Sequence, residues 1–252
     1  MLNKSLTTLL LSVILFSCQE KNHHLQRIEG KRLEINNSLS GDKDIETFIK
    51  PFRNHINNDL DSVISYSRAT YSKSDGELNT AIGNFFADAV YEQANPIFKS
   101  RTGEDIDLVI LNHGGIRSII SKGNLTKRTA YEIMPFENSI VVVKLKGKNI
   151  HKAVEYLREA KRAHPISKLQ ITLDRNYSLT KSSINGKSID SSQTYYLATN
   201  DYLYNGGDNM TFLKPNDTVY LLDYKIRNAL MDYLLKTDTI APEIDNRFIK
   251  VN

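Results

Sequence analysis

Two short apolar runs limit what this chain can become: Ile106-Asp107-Leu108-Val109-Ile110-Leu111 and Ile140-Val141-Val142-Val143-Lys144-Leu145. Each is β-branched and too short for a buried helix, so each predicts a strand, the first of them buried. Around them the apolar period changes to the helical one. Ile45, Phe48, Ile49, Phe52, Ile56, Leu60, Val63 and Ile64 predict a helix over 44–64, with Pro51 as a kink point. Ile82, Phe85, Phe86, Ala89 and Val90 predict another over 78–94, where Gly83 permits close packing. Further helices are expected over 126–133, capped by Thr126, from Gly147 to about 161, and over 224–235. Strands are expected over 169–173, 195–199 and 247–251, with Asn185-Gly186 as a turn between the first two. Helices and strands interleave along the chain, which points to a single mixed α/β (α+β) domain.

The chain has 252 residues, 40% of them apolar, enough for one good core. Its 33 basic and 29 acidic residues leave a formal charge of +4, too small for the field that binding a nucleic acid polymer requires. Lys4 followed by the apolar stretch Leu6 to Phe16 has the form of an export signal over 1–17, too short to span a bilayer as a mature helix. Leu15-Phe16-Ser17-Cys18 resembles the bacterial lipoprotein signal, which implies lipidation at Cys18 and a membrane-anchored protein facing the periplasm or cell exterior. An ordinary secretory signal or a weak membrane anchor is the alternative. Cys18 is the only cysteine, so no disulfide and no thiolate cluster can form. Residues 18–40 are expected to be a tether and 41–252 the folded domain.

Three segments carry the candidate chemistry. In Asn112-His113-Gly114-Gly115-Ile116-Arg117 two glycines permit unusual backbone angles, and Arg117 presents planar donors for a carboxylate, a phosphate or vicinal hydroxyls. Read alone, it is a plain turn, a metal site on His113 or an anion-holding loop. In Met134-Pro135-Phe136-Glu137-Asn138, Pro135 fixes the backbone ahead of Phe136, and Asn138 both donates and accepts. Read alone, that is a core phenylalanine beside a turn. In Asn200-Asp201-Tyr202-Leu203-Tyr204-Asn205-Gly206-Gly207-Asp208, aromatics beside a Gly-Gly-Asp turn suit a planar ring and sugar hydroxyls. A glycine turn in which Asp208 caps its own backbone is the alternative.

Taken in order, LNHGGIR, PFEN and TNDYLYNGGD, preceded by IGNFFADAV (Ile82 to Val90), resemble the C-terminal domain of 5′-nucleotidases, the family of bacterial UDP-sugar hydrolases and animal ecto-5′-nucleotidases. The likeness covers roughly Asp75 to the C-terminus. It implies the substrate-binding domain fold of that family. It also implies that Arg117 contacts the nucleotide, Asn112 the base side, and that Phe136 and Tyr202 stack on the base with Asn138 bonding nearby. Asp208 would take ribose hydroxyls, with Gly114, Gly115, Gly206 and Gly207 shaping the loops. The chain departs from the pattern at His113, where glycine is frequent. It also departs at Lys73-Ser74-Asp75-Gly76-Glu77-Leu78-Asn79, where arginines are expected; Arg68 lies further upstream.

In that family the chemistry belongs to an N-terminal metallophosphoesterase domain with two metal ions held by Asp, His and Asn. D-x-H, G-D and G-N-H-[DE] segments do not occur together here as such a site requires, and His23, His24, His55, His151 and His164 lack partners at ligand spacing. The expectation is therefore a nucleotide- or nucleoside-binding specificity domain with no catalytic residue and no cofactor of its own. It would act with a separately encoded metallophosphoesterase that carries the divalent metals (Zn, Mn or similar). A non-catalytic nucleotide- or nucleoside-binding lipoprotein is the alternative.

Overall fold

The computed structural model of the chain describes residues 24–214 and 216–251. The expected export signal over 1–17 and Cys18 lie outside the described residues. The chain divides into two units, residues 1–49 and 50–252. Residues 24–42 hold neither helix nor strand. Asn36 forms a small turn there, its side chain accepting from the Ser38 amide at 2.9 Å. Among the described residues no helix is long and apolar enough to cross a membrane.

Helix α1 (Lys43–Leu60) starts where the Asp42 carboxylate accepts from the amides of Asp44 and Ile45, and its helical pattern continues through Pro51. It stops four residues short of the expected end. Val63 and Ile64 open strand β1 (Val63–Ser67) instead, because the helical spacing runs by coincidence into a β-branched pair. Helix α2 (Ala81–Thr102) is capped by the Thr80 hydroxyl, runs through Pro96 and ends at Gly103 in the left-handed region. It is eight residues longer at its C-terminal end than the spacing predicted. Then come β2 (Leu108–Ile110), β3 (Gly123–Thr126), and α3 (Lys127–Ile133), which Thr126 caps as expected. They are followed by β4 (Ser139–Lys146) and α4 (Gly147–Ala160).

Next are β5 (Ile166–Ser167), β6 (Leu169–Leu173), β7 (Leu179–Ile184) and β8 (Lys187–Ser188). Asn185-Gly186 turns β7 into β8 with φ of 49° and 77°, so the turn closes a hairpin the apolar pattern did not show. Strand β9 (Thr194–Asn200) leads directly into the short helix α5 (Asp201–Tyr204). The chain finishes with β10 (Thr218–Lys225), α6 (Ile226–Leu235), β11 (Thr239–Ile240) and β12 (Phe248–Lys250).

The strands form three mixed sheets, and the five-stranded one, in the order β10-β4-β9-β2-β5, carries the core on both faces. Val109, Ile140, Val142 and Ala198 pack with Phe85, Phe86 and Phe98 of α2 and with Leu230 of α6. The alternate residues Leu108, Ile110, Val141, Val143, Leu145 and Leu197 pack with Ile150, Val154 and Leu157 of α4 and with β6. A strand buried on both faces reads as an unbroken apolar run, which is why β2 and β4 were legible. The fold is the mixed α/β arrangement that the interleaved pattern predicted.

Candidate functional site

Strands β2 and β9 are parallel neighbours, pairing Leu108 with Leu197 and Val109 with Ala198. Their C-terminal ends therefore open on the same edge of the sheet. Strand β4 runs antiparallel to β9, with Ile140 opposite Asn200, so its N-terminal end reaches that edge too. The three loops singled out in the sequence follow β2, precede β4 and follow β9. The sheet gathers them at one edge, outside the carboxyl ends of two parallel strands, where open α/β sheets commonly hold ligands.

There Asn112, Gly114, Gly115, Arg117, Phe136, Glu137, Asn138, Tyr202 and Asp208 line one cavity of about 550 Å³. All six side chains named from the sequence are in it, joined by Glu137. Asn112 is buried at the cavity floor, while Phe136 and Tyr202 are 41% and 46% exposed at its mouth.

The first loop forms a short 3-10 turn over His113–Gly115. Neither Gly114 nor Gly115 takes a positive φ, so the expected unusual backbone angle is not what they supply. They supply room instead: a Cβ on Gly115 would stand 3.0 Å from Asn112 Oδ1. The Arg117 amide donates to Ile133 O at 2.8 Å, pinning the loop to the end of α3. The Arg117 guanidinium lies 5.7 Å from the Phe136 ring centre, a cation–π distance, and donates to Gly114 O at 3.4 Å. Lys73, from the segment without arginines, donates to Ile116 O at 3.0 Å. Arg68 is not among the residues lining the cavity.

His113 is half-buried, with Nδ1 3.2 Å from Ala163 O. Beneath it His164 is buried, its Nδ1 3.3 Å from Leu111 O. Loss of hydration holds the His164 imidazole down at about 4, so it is neutral under ordinary conditions. Among the described residues no group of three or more His, Cys, Asp or Glu side chains is placed to hold a metal ion.

The second loop is fixed by a residue the motifs did not indicate. Arg227 of α6 is buried, and its Nη1 faces the carbonyls of Met134, Pro135 and Phe136 at 3.5, 3.3 and 3.4 Å. Its Nη2 pairs with Glu137, which Lys225 also pairs. The hydrogen bonds from Arg227 and Lys225 hold the Glu137 carboxyl down at about 2. The Tyr131 ring lies 4.2 Å from the same guanidinium. A charge three residues before Leu230 and seven before Leu234, on the buried stripe of the last helix, was the signal available in the sequence. Asn138 donates to Asp201 Oδ1 at 3.0 Å, tying the second loop to the third.

The third loop begins with Asn200, whose side chain caps α5 by accepting from the Leu203 amide at 2.8 Å. Gly206 then takes φ 98°, and Asp208 and Asn209 follow at 51° and 59°. This left-handed stretch turns the Asp208 carboxylate back over α5. Asp208 Oδ1 accepts from the Tyr202 hydroxyl at 3.0 Å and Oδ2 from Asn112 Nδ2 at 2.9 Å. The resemblance put Asn112 on the base side; its amide here meets the carboxylate. Tyr156 of α4, a second residue the motifs missed, donates to Asp208 O at 2.8 Å. The hydrogen bond to Asp208 and the charge beside it keep the Tyr202 phenol above its ordinary range, so it stays a donor.

Residues 56–215 match the family model for the 5′-nucleotidase C-terminal domain, and the chain belongs to that family. It is 25% identical over 238 residues to an apyrase of Tabanus yao, a match covering 84% of this chain and 42% of that protein. It is 28% identical over 189 residues to the trifunctional nucleotide phosphoesterase protein of Bacillus subtilis, covering 68% of this chain and 12% of that one. Among solved structures, a 5′-nucleotidase precursor from Thermus thermophilus superposes with a TM-score of 0.69 at 23% identity, covering 82% of this chain and 42% of that one. The chain thus spans less than half the length of each of these relatives. The last likeness shows the fold.

Proposed function

We propose that this chain is the nucleotide- or nucleoside-binding part of a 5′-nucleotidase-type phosphohydrolase, and that a dimetal domain on another exported chain cleaves the phosphate ester. One observation supports this above the others: Phe136, Tyr202, Asp208 and Arg117, drawn from three distant segments, line a single cavity. Two aromatic rings at the mouth suit a flat base, which stacks with little regard to its identity, at roughly 1–3 kcal/mol per base. Asp208 faces the same space as an acceptor for sugar hydroxyls. Arg117, which has no acidic partner among the described residues, offers planar donors to phosphoryl oxygens. In this family the ions that generate the nucleophile and neutralise the phosphoryl group sit in the separate N-terminal domain. The part we assign to this chain is to hold the substrate. Lipidated Cys18 would keep it at a membrane facing the periplasm or exterior, beside an exported partner.

Hydrolysis of nucleoside monophosphates in Mn²⁺ or Zn²⁺ tests the division of labour. This chain alone should be inactive, a metallophosphoesterase encoded beside it weakly active, and the mixture more active with a lower KM. Hydrolysis by this chain alone would overturn the proposal. Binding without any gain in the mixture would favour a non-catalytic carrier. Phe136→Ala should weaken nucleotide binding by roughly 1–3 kcal/mol at unchanged stability, and unaltered affinity would remove the stacking role.

A further inference from the structure

We propose that the hydroxyl of Tyr202 makes this site selective for sugars with an intact vicinal diol, by holding the Asp208 carboxylate in the orientation that receives them. This rests on the nucleoside-site reading above. Asp208 sits on an exposed turn, where an unsupported carboxylate would rotate freely. Here it is held at each end: Tyr202 OH meets Oδ1 at 3.0 Å and Asn112 Nδ2 meets Oδ2 at 2.9 Å. Below it the Tyr156 hydroxyl anchors the Asp208 carbonyl at 2.8 Å.

Both donors to the carboxylate are neutral. They fix its plane without neutralising it, and each oxygen, able to accept two hydrogen bonds, keeps one position open. Two open acceptor positions on one carboxylate match two adjacent hydroxyls. The donor on Oδ1 is also the ring expected beneath the base. That ring lies against Gly207 so closely that a Cβ there would come within 2.4 Å of it. Its hydroxyl and its backing therefore share one pose, and the base platform and the sugar acceptor are set together. A phenylalanine at this position would keep the platform and free the Oδ1 end of the carboxylate, leaving Asn112 on Oδ2.

The test is isothermal titration of the full chain, wild type and Tyr202→Phe, with adenosine, uridine and their 2′,3′-dideoxy forms. Wild type should prefer the diol forms. Tyr202→Phe should hold dideoxy affinity within about twofold while cutting the preference by about tenfold, the scale of one hydrogen bond to a charged group. In an Asp208→Asn background the same substitution should leave the already weakened preference where it is. An unchanged preference in Tyr202→Phe, or equal loss of both ligand classes, overturns the inference while leaving the nucleoside site standing. Wild type binding none of the four overturns the site reading itself, and the inference with it.

Discussion

Asp88 and Asp208 are both carboxylates in sequence motifs of this chain, and their surroundings differ in kind. Asp88, on α2, accepts from Arg247 through both oxygens, at 3.0 and 2.9 Å, and from the Ser167 hydroxyl at 2.6 Å. Arg247 in turn holds Asp245 and Ile166 O, so Asp88 has its counter-charge in direct contact although it too lines a cavity. Asp208 has only neutral donors, and its charge is left facing a cavity. The first arrangement fastens the C-terminal segment to α2; the second leaves free the carboxylate that the proposed function assigns to sugar hydroxyls. Membership of a motif does not distinguish a clamp from a receptor. What distinguishes them is whether the counter-charge is already in place.

The largest expected effect falls on the clamp. Arg247→Met leaves Asp88 and Asp245 without their cation and should destabilise the fold by about 3 kcal/mol in urea titration. Nucleoside affinity at sub-denaturing urea should stay within about twofold. Proportional loss of binding would show that the two regions are not independent.

Beneath the first loop of the open site, burial acts on His164. Its folded-state value of about 4 lies below the ordinary 6.5, so the unfolded chain takes up a proton that the folded chain refuses. The stability this neutral histidine allows is complete above about pH 6.5 and declines as pH falls toward 4, with about 2 kcal/mol gone near pH 5. Urea midpoints at pH 7.5 and pH 5 measure it, and His164→Asn should flatten the difference. An equally steep profile in that variant would show that His164 is not the source of the loss.

The smallest effect on stability belongs to the open turn. Gly207→Ala drives a methyl into the Tyr202 ring, which is exposed enough to swing away, so the fold should lose no more than about 1 kcal/mol. Nucleoside affinity should nonetheless fall several-fold, because the displaced ring leaves Asp208. Unchanged affinity would mean that the ring pose is irrelevant to binding.

Much of the fold was legible where burial is symmetrical. Strands β2, β4 and β9 are apolar on both faces and announce themselves. Strand β10 does not, since Thr218 and Asp223 face solvent, Leu221 is 61% exposed, and a bulge with Asp223 at φ 54° breaks its register. Its last residues were drawn into the expected helix over 224–235, which begins only at Ile226. Strand β7 is polar along most of its length and was silent for the same reason. In the cavity, the six side chains were readable because three motifs occur in a fixed order, although each alone is a plausible turn. Arg227 and Tyr156 were not, because the groups they hold lie 90 to 93 and 52 residues away. No local pattern encodes such a contact.

The carboxylate of Asp208 and the amide of Asn112 meet across 96 residues of chain, and Asn138 and Asp201 across 63. A molecule lodged between Phe136 and Tyr202 would add a further tie between loops already joined by the central sheet and by these two hydrogen bonds. It would act as a removable cross-link, and since it fits the folded chain alone, its concentration sets how firmly that sheet stays closed. The resistance of this chain to unfolding then becomes a gauge of how much ligand surrounds it.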